Sequence, residues 1–383
     1  MTDDVFAGGA FAVGDQAPGE REGAAEDGAP RGLGLIVPCR NEAEVVARKL
    51  ANLARVDWPG TGAHRMIVVD DGSDDATAER THEAFERHAQ AFAARGVHTE
   101  LVTNTGRPGK PGAIASGLRA LEQGGATELV VLTDADVVLS DDALVRLQAA
   151  FAQPALALAC GAQRFVASLA DDGTLAGRGG AVLVDASAAF DRVTAWARRV
   201  ESRRGRLFSV HGQLVAWRRS LGLTPSLGIA ADDIDLMLQV REGALQDAAL
   251  PWRVERVEGA LFYEIKTVER ARVEAQELRR ARAYVQVVRA WDGRLPARGL
   301  QWWFYRRVPL AAPLLSWVAA ALCAVVAYLA LGWIGLLAGL ISLALVSRTP
   351  QGRGWLRLMG RIRDATRQND GDVKLERWEM ARR

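Results

Sequence analysis

The sequence predicts an α/β fold with a mostly parallel sheet flanked by helices, followed by a transmembrane helical hairpin. Between residues 34 and 132, short apolar runs alternate with stretches of helical periodicity. This strand–helix order is typical of a parallel sheet that binds ligands beyond the carboxyl ends of its strands. Residues 308–346 contain no charged residue, and they are about twice as long as a helix that crosses a bilayer.

The first half of the chain supplies the elements of the predicted sheet. Apolar runs at 34–37, 66–69 and 128–132 predict buried strands. Helical spacing of apolar residues at 42–56 and 76–95 predicts the connecting helices. Acidic residues follow the second and third runs directly, so they lie where such a sheet places its ligand crevice.

Composition limits the classes of protein that fit. The 48 basic and 46 acidic residues nearly cancel, so overall charge gives no argument for a nucleic-acid partner. Cys39, Cys160 and Cys323 lie far apart and lack CxxC spacing. This pattern argues against a structural zinc site or a disulfide framework. Residues 1–31 are rich in Gly, Ala and acidic residues and lack a basic region followed by an apolar stretch. They predict a disordered leader rather than a signal peptide.

The expected organisation is an α/β domain at 32–290, an interfacial linker at 291–307, the hairpin at 308–346 and a basic tail at 347–383. Gly332, Trp333 and Gly335 are the expected turn of the hairpin. Alternatives are one tilted helix with an apolar extension, or two buried core helices. Arginines flank the segment on both sides, which by the positive-inside rule places both ends, and the α/β domain, in the cytoplasm beside the inner membrane.

The first acidic cluster is Asp70 and Asp71, within DDGSD at 70–74. A structural explanation is a turn in which Ser73, Asp74 or Asp75 caps the next helix. A functional explanation is that the two carboxylates accept hydrogen bonds from the N–H groups of a base or the hydroxyls of a ribose.

The second cluster is Asp134 and Asp136, the DxD that ends the third strand. Carboxylates two residues apart can converge on Mg²⁺ or Mn²⁺, which also accept substrate phosphate oxygens as ligands. A DxD is short, and a plain turn is the alternative. Its position directly after a buried strand favours the metal site.

The third cluster, Asp232, Asp233 and Asp235, begins an expected helix that runs to about Val240. Acidic residues at a helix N-terminus are favoured by the helix dipole, so capping is the structural explanation. Crowded carboxylates also raise one another's pKa, which suits one of them to act as a general base.

Basic residues offer partners for phosphate. Lys110 lies in a glycine- and proline-rich loop at 107–112 that lacks the GxxxxGK[ST] spacing of a Walker motif. Gln276, Arg279 and Arg280 supply an amide and two guanidiniums, which suit a departing diphosphate. The stretch 269–282 is so charged that a solvated helix face explains it equally well.

Together these segments resemble the membrane-anchored, bacterial type of family 2 glycosyltransferase, which has the GT-A fold. The matching motifs are VPCRNE at 37–42, VDDGS at 69–73, a GKxxAxxxG-like element at 109–117, TDAD at 133–136 and DDID at 232–235. Their ordered occurrence over residues 33–290 is far more specific than any one motif.

The resemblance implies an inverting transfer from a nucleotide-diphosphate sugar, with UDP the expected nucleotide, to a glycan or lipid-linked acceptor. Asp233 would be the catalytic base. An export partner protein would be needed for a long product, since the hairpin is too small to form a channel alone. By the resemblance, Pro38, Glu42, Asp70 and Asp71 line the nucleoside pocket, Lys110 lies near it, and Asp134 and Asp136 bind the diphosphate through Mg²⁺ or Mn²⁺.

The sequence departs from the family motifs at two places that concern the acceptor. Where family members carry QxxRW, this chain has Gln276-Glu277-Leu278-Arg279-Arg280, with Gln286-Val287-Val288-Arg289 as a second register. The missing Trp puts processive synthesis in doubt. Asp232 replaces the usual Glu, and the segment 210–219 resembles the acceptor-side GxxxAxRR, with His211 and Gly212 at its start. The alternative for His211 is a structural histidine.

Other functions fit the sequence less well. A haloacid-dehalogenase-like phosphotransferase would use the DxD at Asp134 as its nucleophile motif, but that motif normally follows the first strand of its domain. A dinucleotide-dependent oxidoreductase is disfavoured because GxGxxG is missing at the expected place. A catalytically silent membrane scaffold with the same fold is the remaining alternative.

Overall fold

A computed structural model describes residues 30–60, 62–125, 127–175, 189–246, 252–266, 270–295 and 300–367. Nearly all of the predicted leader, and the last part of the predicted basic tail, lie outside these described residues.

The described residues form an eight-stranded sheet in the order β3-β2-β1-β4-β7-β6-β8-β5. In chain order the strands are β1 (Leu33–Cys39), β2 (His64–Asp70), β3 (Val97–Thr103), β4 (Leu129–Thr133), β5 (Val138–Leu139), β6 (Leu156–Val166), β7 (Leu214–Arg218) and β8 (Arg253–Ile265). The helices are α1 (Val46–Arg55), α2 (Thr77–Ala94), α3 (Lys110–Gln123), α4 (Ala143–Ala150), α5 (Ala189–Arg203), α6 (Asp232–Gln246), α7 (Arg270–Ala290), α8 (Leu300–Arg348) and α9 (Pro350–Arg367).

The first four strands of the order, β3-β2-β1-β4, are all parallel, as predicted. Cys39 pairs with Asp70, and Ile36 pairs with Leu132, so β1, β2 and β4 end at the same edge of the sheet. Because the chain leaves β1 toward β2 on one side and β4 lies on the other, a crevice opens beyond these ends. The sheet is mixed further along, where β7 runs antiparallel to both β4 and β6.

Each face of the sheet packs against its own hydrophobic core. Alternate residues of β1 show the division: Leu35 and Val37 join the core beneath α1, α2 and α4, whereas Ile36 joins the core beneath α3, α6 and α7. The period-two alternation of a strand places these side chains on opposite faces. The crevice is therefore held by two rigid layers of helices.

The apolar segment differs from its prediction. Its two helical halves, together α8, are joined directly at a single non-helical residue rather than by a separate turn. Gly332 has φ 60° and ψ −145°, which glycine adopts because it lacks a Cβ atom. A Cβ on Gly335 would lie 2.1 Å from the carbonyl oxygen of Ala327, although a straight helix would separate the two residues by about 12 Å along its axis. The residues after Gly332 therefore return against those before it.

Among the described helices, α8 is the one long and apolar enough to cross a membrane, by length and composition. The helix α9, inside the predicted basic tail, packs against both α8 and α7. Met359 accepts a hydrogen bond from Ser316 at 3.5 Å, Arg289 donates to the carbonyl oxygen of Thr366 at 2.7 Å, and Arg361 forms an ion pair with Glu277.

Candidate active site

The aspartates at the end of β2 shape the surrounding loops. Asp70 accepts a hydrogen bond from the Ser73 hydroxyl. Asp71 accepts one from Asn104 at 2.6 Å and one from the backbone N–H of Gly109 at 2.7 Å. Both aspartates are buried. The turn explanation thus accounts for part of this cluster, and Asp71 also fixes the residue immediately before Lys110.

The predicted nucleoside-pocket residues of β1 lie at the same edge. Pro38 pairs with Val69 in the parallel ladder, one position before Asp70. Glu42 is buried, and its backbone N–H donates to the Thr77 hydroxyl at 2.8 Å. Pro38 and Glu42 therefore lie at the carboxyl edge of the sheet near Asp70, and their role in a nucleoside pocket stays a prediction.

Lys110 joins two of the acidic clusters. It begins α3, and its Nζ atom lies 2.7 Å from Oδ1 of Asp134 and 3.5 Å from Oδ2 of Asp232. Burial disfavours the charged ammonium, but Asp134, Asp232 and Asp233 outweigh this effect and raise the pKa of Lys110. The lysine is therefore a permanent cation between the end of β4 and the start of α6.

Asp233 has the environment of a general base. Desolvation of its carboxylate, with the adjacent charge of Asp232, raises the pKa of Asp233 to about 6, and Lys110 opposes this rise. The Asp233 carboxylate accepts the backbone N–H of Ile234 at 2.8 Å. Gly212 lies against it, since a Cβ on Gly212 would be 3.1 Å from the Asp233 Cβ. A carboxylate with this pKa is ionised at neutral pH and basic enough to accept a proton.

Asp235, in the same motif, has a structural role. It is fully buried and accepts hydrogen bonds from the backbone N–H of Ser226 at 2.7 Å, from Gln239 at 3.0 Å and from the Trp291 indole at 2.8 Å. These bonds tie the first turn of α6 to the end of α7. Asp233, on the opposite side of the turn, is left facing the crevice.

A buried lysine that the sequence analysis missed lies beneath the DxD. The side chain of Lys49, on α1, is fully buried and donates to the Thr133 hydroxyl at 2.7 Å and the Val137 carbonyl at 3.0 Å. Burial lowers the pKa of Lys49 to about 7, although Asp134 and Asp136 favour its charge. Lys49 therefore holds the chain on both sides of the DxD. The one signal in the sequence that Lys49 is buried is its position on the apolar face of α1.

The carboxylates of the DxD fit a divalent cation together with substrate phosphates. Within the described residues, no group of three or more His, Cys, Asp or Glu side chains forms a complete metal-binding set. Asp134 and Asp136 are both partly exposed to the crevice and held on a rigid turn. Mg²⁺ in particular is commonly bound by one or two carboxylates, with phosphates and water completing its shell.

Glu264 is a further residue of this edge that sequence reasoning missed. The antiparallel pairing of Val138 with Tyr263 puts Glu264 across from the residue after Asp136. Glu264 accepts a hydrogen bond from Gln163. Burial and the charge of Asp136 raise the pKa of Glu264 to about 7, and Arg280 opposes this. The residue comes from a distant part of the chain, and no motif marks it.

The predicted Gln276, Arg279 and Arg280 lie on α7, and they do not act alike. The charge of Arg280 acts on both Glu264 and His211, so Arg280 is on the site side of the helix. Gln276 is half-buried. Arg279 is exposed to solvent, and it already interacts with another part of the protein. In the second register, Gln286 donates to the Gly228 carbonyl at 2.6 Å and accepts from the Ala230 N–H at 3.0 Å. Gln286 thus fixes the loop that leads to Asp232.

His211 lies next to Gly212, in the segment that is predicted to face the acceptor. Its ring makes an edge contact with Phe262, with centroids 5.8 Å apart. Desolvation lowers the pKa of His211 to about 3, with further lowering by Arg198, Arg256 and Arg280. His211 is therefore neutral at physiological pH and can donate or accept one hydrogen bond, but it carries no charge.

Comparison with known proteins agrees with this geometry. The family model described as glycosyltransferase like family 2 matches residues 30–285. The structure of the mannosyltransferase PcManGT from Pyrobaculum calidifontis, in complex with GDP-Man and Mn²⁺, has a TM-score of 0.61 and 24% sequence identity. That alignment covers 88% of this chain and 86% of the mannosyltransferase.

A poly-β-1,6-N-acetyl-D-glucosamine synthase from Staphylococcus epidermidis is 30% identical over 112 residues. The match spans 29% of this chain and only 23% of the synthase. The family match covers well over half of the chain, and the sheet order places the motif residues at one crevice. The chain belongs to the family 2 glycosyltransferases and has the GT-A fold.

Proposed function

We propose that the protein is an inverting glycosyltransferase that moves a sugar from a nucleotide-diphosphate donor to a hydroxyl group of a glycan or lipid-linked acceptor. The observation that carries this proposal is the position of Asp233. Its carboxylate lies between Gly212 on the acceptor side and the Lys110–Asp134 pair on the donor side. A base in that place can act on an acceptor while the donor is held from the other side.

The donor would occupy the crevice beyond β1, β2 and β4. Pro38, Glu42, Asp70 and Asp71 form its nucleoside end. Asp134 and Asp136 form its diphosphate end, where bound Mg²⁺ or Mn²⁺ would neutralise charge on the leaving group. The solved mannosyltransferase is named with GDP-Man and Mn²⁺. UDP remains the nucleotide that we expect here.

The transfer begins when Asp233 accepts the proton of the acceptor hydroxyl. The hydroxyl oxygen then forms a bond to the anomeric carbon from the face opposite the diphosphate, and the carbon–oxygen bond to the diphosphate breaks. Lys110 and Arg280 supply positive charge where the diphosphate becomes more negative. Attack opposite to the leaving group inverts the anomeric configuration.

The reaction would take place at the cytoplasmic face of the inner membrane. The apolar composition of α8 and the arginines on both of its flanks support this location. Export of a long product would need a partner protein, because α8 is too small to enclose a channel. The match to the polysaccharide synthase named above covers only 23% of that protein.

The test uses the full-length, detergent-solubilised protein with a panel of UDP- and GDP-sugars, in Mn²⁺, in Mg²⁺ and in EDTA. Asp233→Asn is the site variant, and Asp172→Asn is its control, since Asp172 is exposed and pairs with Arg55 away from the crevice. We expect metal-dependent release of one nucleoside diphosphate, at a rate about 10²–10⁴ times lower in Asp233→Asn and unchanged in Asp172→Asn.

A catalytically silent scaffold would give the opposite result. Folded wild-type protein that turns over no nucleotide sugar under any of these conditions would favour that alternative. Turnover that survives in Asp233→Asn would instead preserve the transferase and remove Asp233 as the base. The match to the glycosyltransferase family rules against the phosphotransferase alternative.

A further inference from the structure

The start of α8 packs directly on the acceptor side of the site. The rings of Tyr305 and Phe208 are stacked, with centroids 3.8 Å apart and planes 2° apart. The Tyr305 hydroxyl donates to Glu201 at 2.8 Å, and Gln301 donates to the same carboxylate oxygen at 2.9 Å. Phe208 precedes His211 by three residues, so the apolar helix adjoins the segment that leads to the proposed base.

Two arginines lie behind this segment. Arg256, on β8, pairs with Cys160 on β6, and its side chain is almost fully buried. The backbone N–H of Arg256 donates to the Ser202 hydroxyl at 2.8 Å, which fixes α5 against β8 at this point. Arg198 is four residues before Ser202, so it lies one turn away on the same face of α5. Arg198 and Arg256 therefore lie near each other where α5 packs on β8.

His211 connects this region to the base. The thiol of Cys160, beside Arg256, interacts with the backbone of His211. The His211 Nδ1 atom is buried and has no hydrogen-bond partner within the described part of the chain. A buried polar atom normally has a partner, so an unsatisfied one at a binding site indicates a missing ligand. Gly212, the next residue, touches Asp233.

Three arginines lie in this region. The charges of Arg198, Arg256 and Arg280 all act on His211. Burial, and after it the charge of Arg256, lower the pKa of Arg198, as expected for neighbouring cations in partly desolvated surroundings. Glu258 pairs with Arg256.

The other nearby carboxylate is already engaged. Glu201 accepts hydrogen bonds from Tyr305, from Gln301 and from the backbone N–H of Phe208. A bound anion would relieve the repulsion between the arginines and supply an acceptor for the buried imidazole.

We propose that Arg198, Arg256 and His211 bind the phosphate group of a lipid-linked acceptor, whose hydrocarbon chain follows α8 into the membrane. This inference rests on the proposed function, because it takes Asp233 as the base that acts on the acceptor. The positive charge of the pocket favours a phosphate group. The contact between Tyr305 and Phe208 places the pocket next to the start of the apolar helix α8. A neutral, soluble glycan satisfies neither feature.

The reaction is balanced without a further reactant. The hydroxyl of the lipid-linked saccharide loses its proton to Asp233, and its oxygen bonds to the anomeric carbon of the donor sugar. The nucleoside diphosphate leaves with the electron pair of the broken bond. The acceptor phosphate stays intact and anchors the saccharide during the transfer.

The probe is dodecyl phosphate, with dodecanol and inorganic phosphate as separate arms, titrated into the full-length protein in detergent. Arg198→Gln and Arg256→Gln test the pocket. Arg199→Gln is the matched control, because this neighbouring arginine of α5 is exposed. We expect dodecyl phosphate to bind at least tenfold more tightly than either other ligand, with a loss of at least tenfold in Arg198→Gln and none in Arg199→Gln.

Arg256→Gln keeps the test decisive if Arg198→Gln does not fold, and thermal melting identifies that case. Equal binding of dodecyl phosphate by wild type and both folded pocket variants would overturn the proposal. So would inorganic phosphate that binds as tightly as dodecyl phosphate, since no lipid would then be recognised. Donor turnover by the wild type is measured separately, so failure of the pocket and failure of the transferase assignment are distinct results.

Discussion

The ammonium of Lys110 lies 2.7 Å from Asp134 and 3.5 Å from Asp232. These aspartates belong to different motifs, one at the end of β4 and the other in the first turn of α6. A single side chain therefore sets both the spacing and the charge balance between the proposed donor end of the crevice and the helix turn that carries the proposed base. This contact makes Lys110 the most informative residue to change.

Replacing Lys110 with Met removes a cation between carboxylates while keeping a side chain of similar length. We expect kcat/KM for the nucleotide sugar to fall about 100-fold, because charge on the leaving group loses a fixed partner. Steady-state kinetics measure the loss. Lys110→Arg should recover part of the activity, and a Lys110→Met enzyme within threefold of wild type would contradict this role.

The pH dependence follows from the pKa of Asp233. A base works when deprotonated, and the pKa of Asp233 is raised to about 6. We therefore expect kcat/KM to be constant above about pH 7 and to fall as pH drops through 6. Lys110 holds this pKa down, so in Lys110→Met the midpoint should move to higher pH. A midpoint that stays fixed or moves to lower pH would show that another group controls the profile.

The metal carboxylates give a prediction independent of turnover. Asp136→Asn keeps the shape of the side chain but removes one negative charge from the DxD. We expect the affinity for Mn²⁺ in the presence of UDP to fall at least tenfold, because hard cations prefer charged oxygen ligands. Electron paramagnetic resonance of the full-length protein measures free and bound Mn²⁺. Wild-type turnover that continues in EDTA would contradict a metal-dependent donor site.

Asp235 tests structure rather than catalysis. Asp235→Ala leaves the Trp291 indole and the Ser226 N–H without their acceptor in a buried region. We expect a loss of about 2–4 kcal/mol in the free energy of unfolding, measured by urea denaturation. Asp233→Asn should change this free energy by less than about 1 kcal/mol. Equal stability of the two variants would argue against the division of roles within the motif.

Gly112 tests the loop beside Lys110. A Cβ at this position would lie 1.8 Å from the Arg107 carbonyl oxygen, a clash with backbone that no rotamer relieves. We expect Gly112→Ala to displace the loop and lower kcat/KM for the donor at least tenfold. Gly106→Ala is the control in the same loop, where the nearest atom is a side-chain oxygen at 3.3 Å. Similar kinetics for both variants would show that the loop tolerates displacement.

The sequence was sufficient to predict the parallel part of the sheet and the crevice at its carboxyl edge. Asp70, Asp134 and Asp233 follow local patterns, a buried strand or a helix start, that one window of sequence reveals. Glu264 follows no such pattern, and Gln286 was named only as part of a second QxxR register, not as a support for the loop before α6. Their roles depend on the pairing of β8 beside β5 and on the packing of α7 against the loop before α6, which are contacts between distant segments.

Two other features were beyond sequence reasoning for different reasons. Lys49 is a charged residue on an otherwise apolar helix face: the helical period places it on the buried side, whereas its charge predicts exposure to solvent. The break in α8 was expected near Gly332, but as a turn between two helices. Whether a chain reverses through a loop or at one left-handed glycine depends on how closely the two halves pack.

The contacts of Gln301 and Tyr305 with Glu201 also define where the enzyme can be divided. The family match ends at residue 285, yet Glu201 and Phe208 depend on residues beyond it. A soluble fragment cut at the homology boundary would lose an aromatic partner and two hydrogen-bond donors next to the acceptor segment. Such a fragment would retain the proposed donor crevice but lose contacts on the proposed acceptor side, so its activity would underestimate that of the intact enzyme.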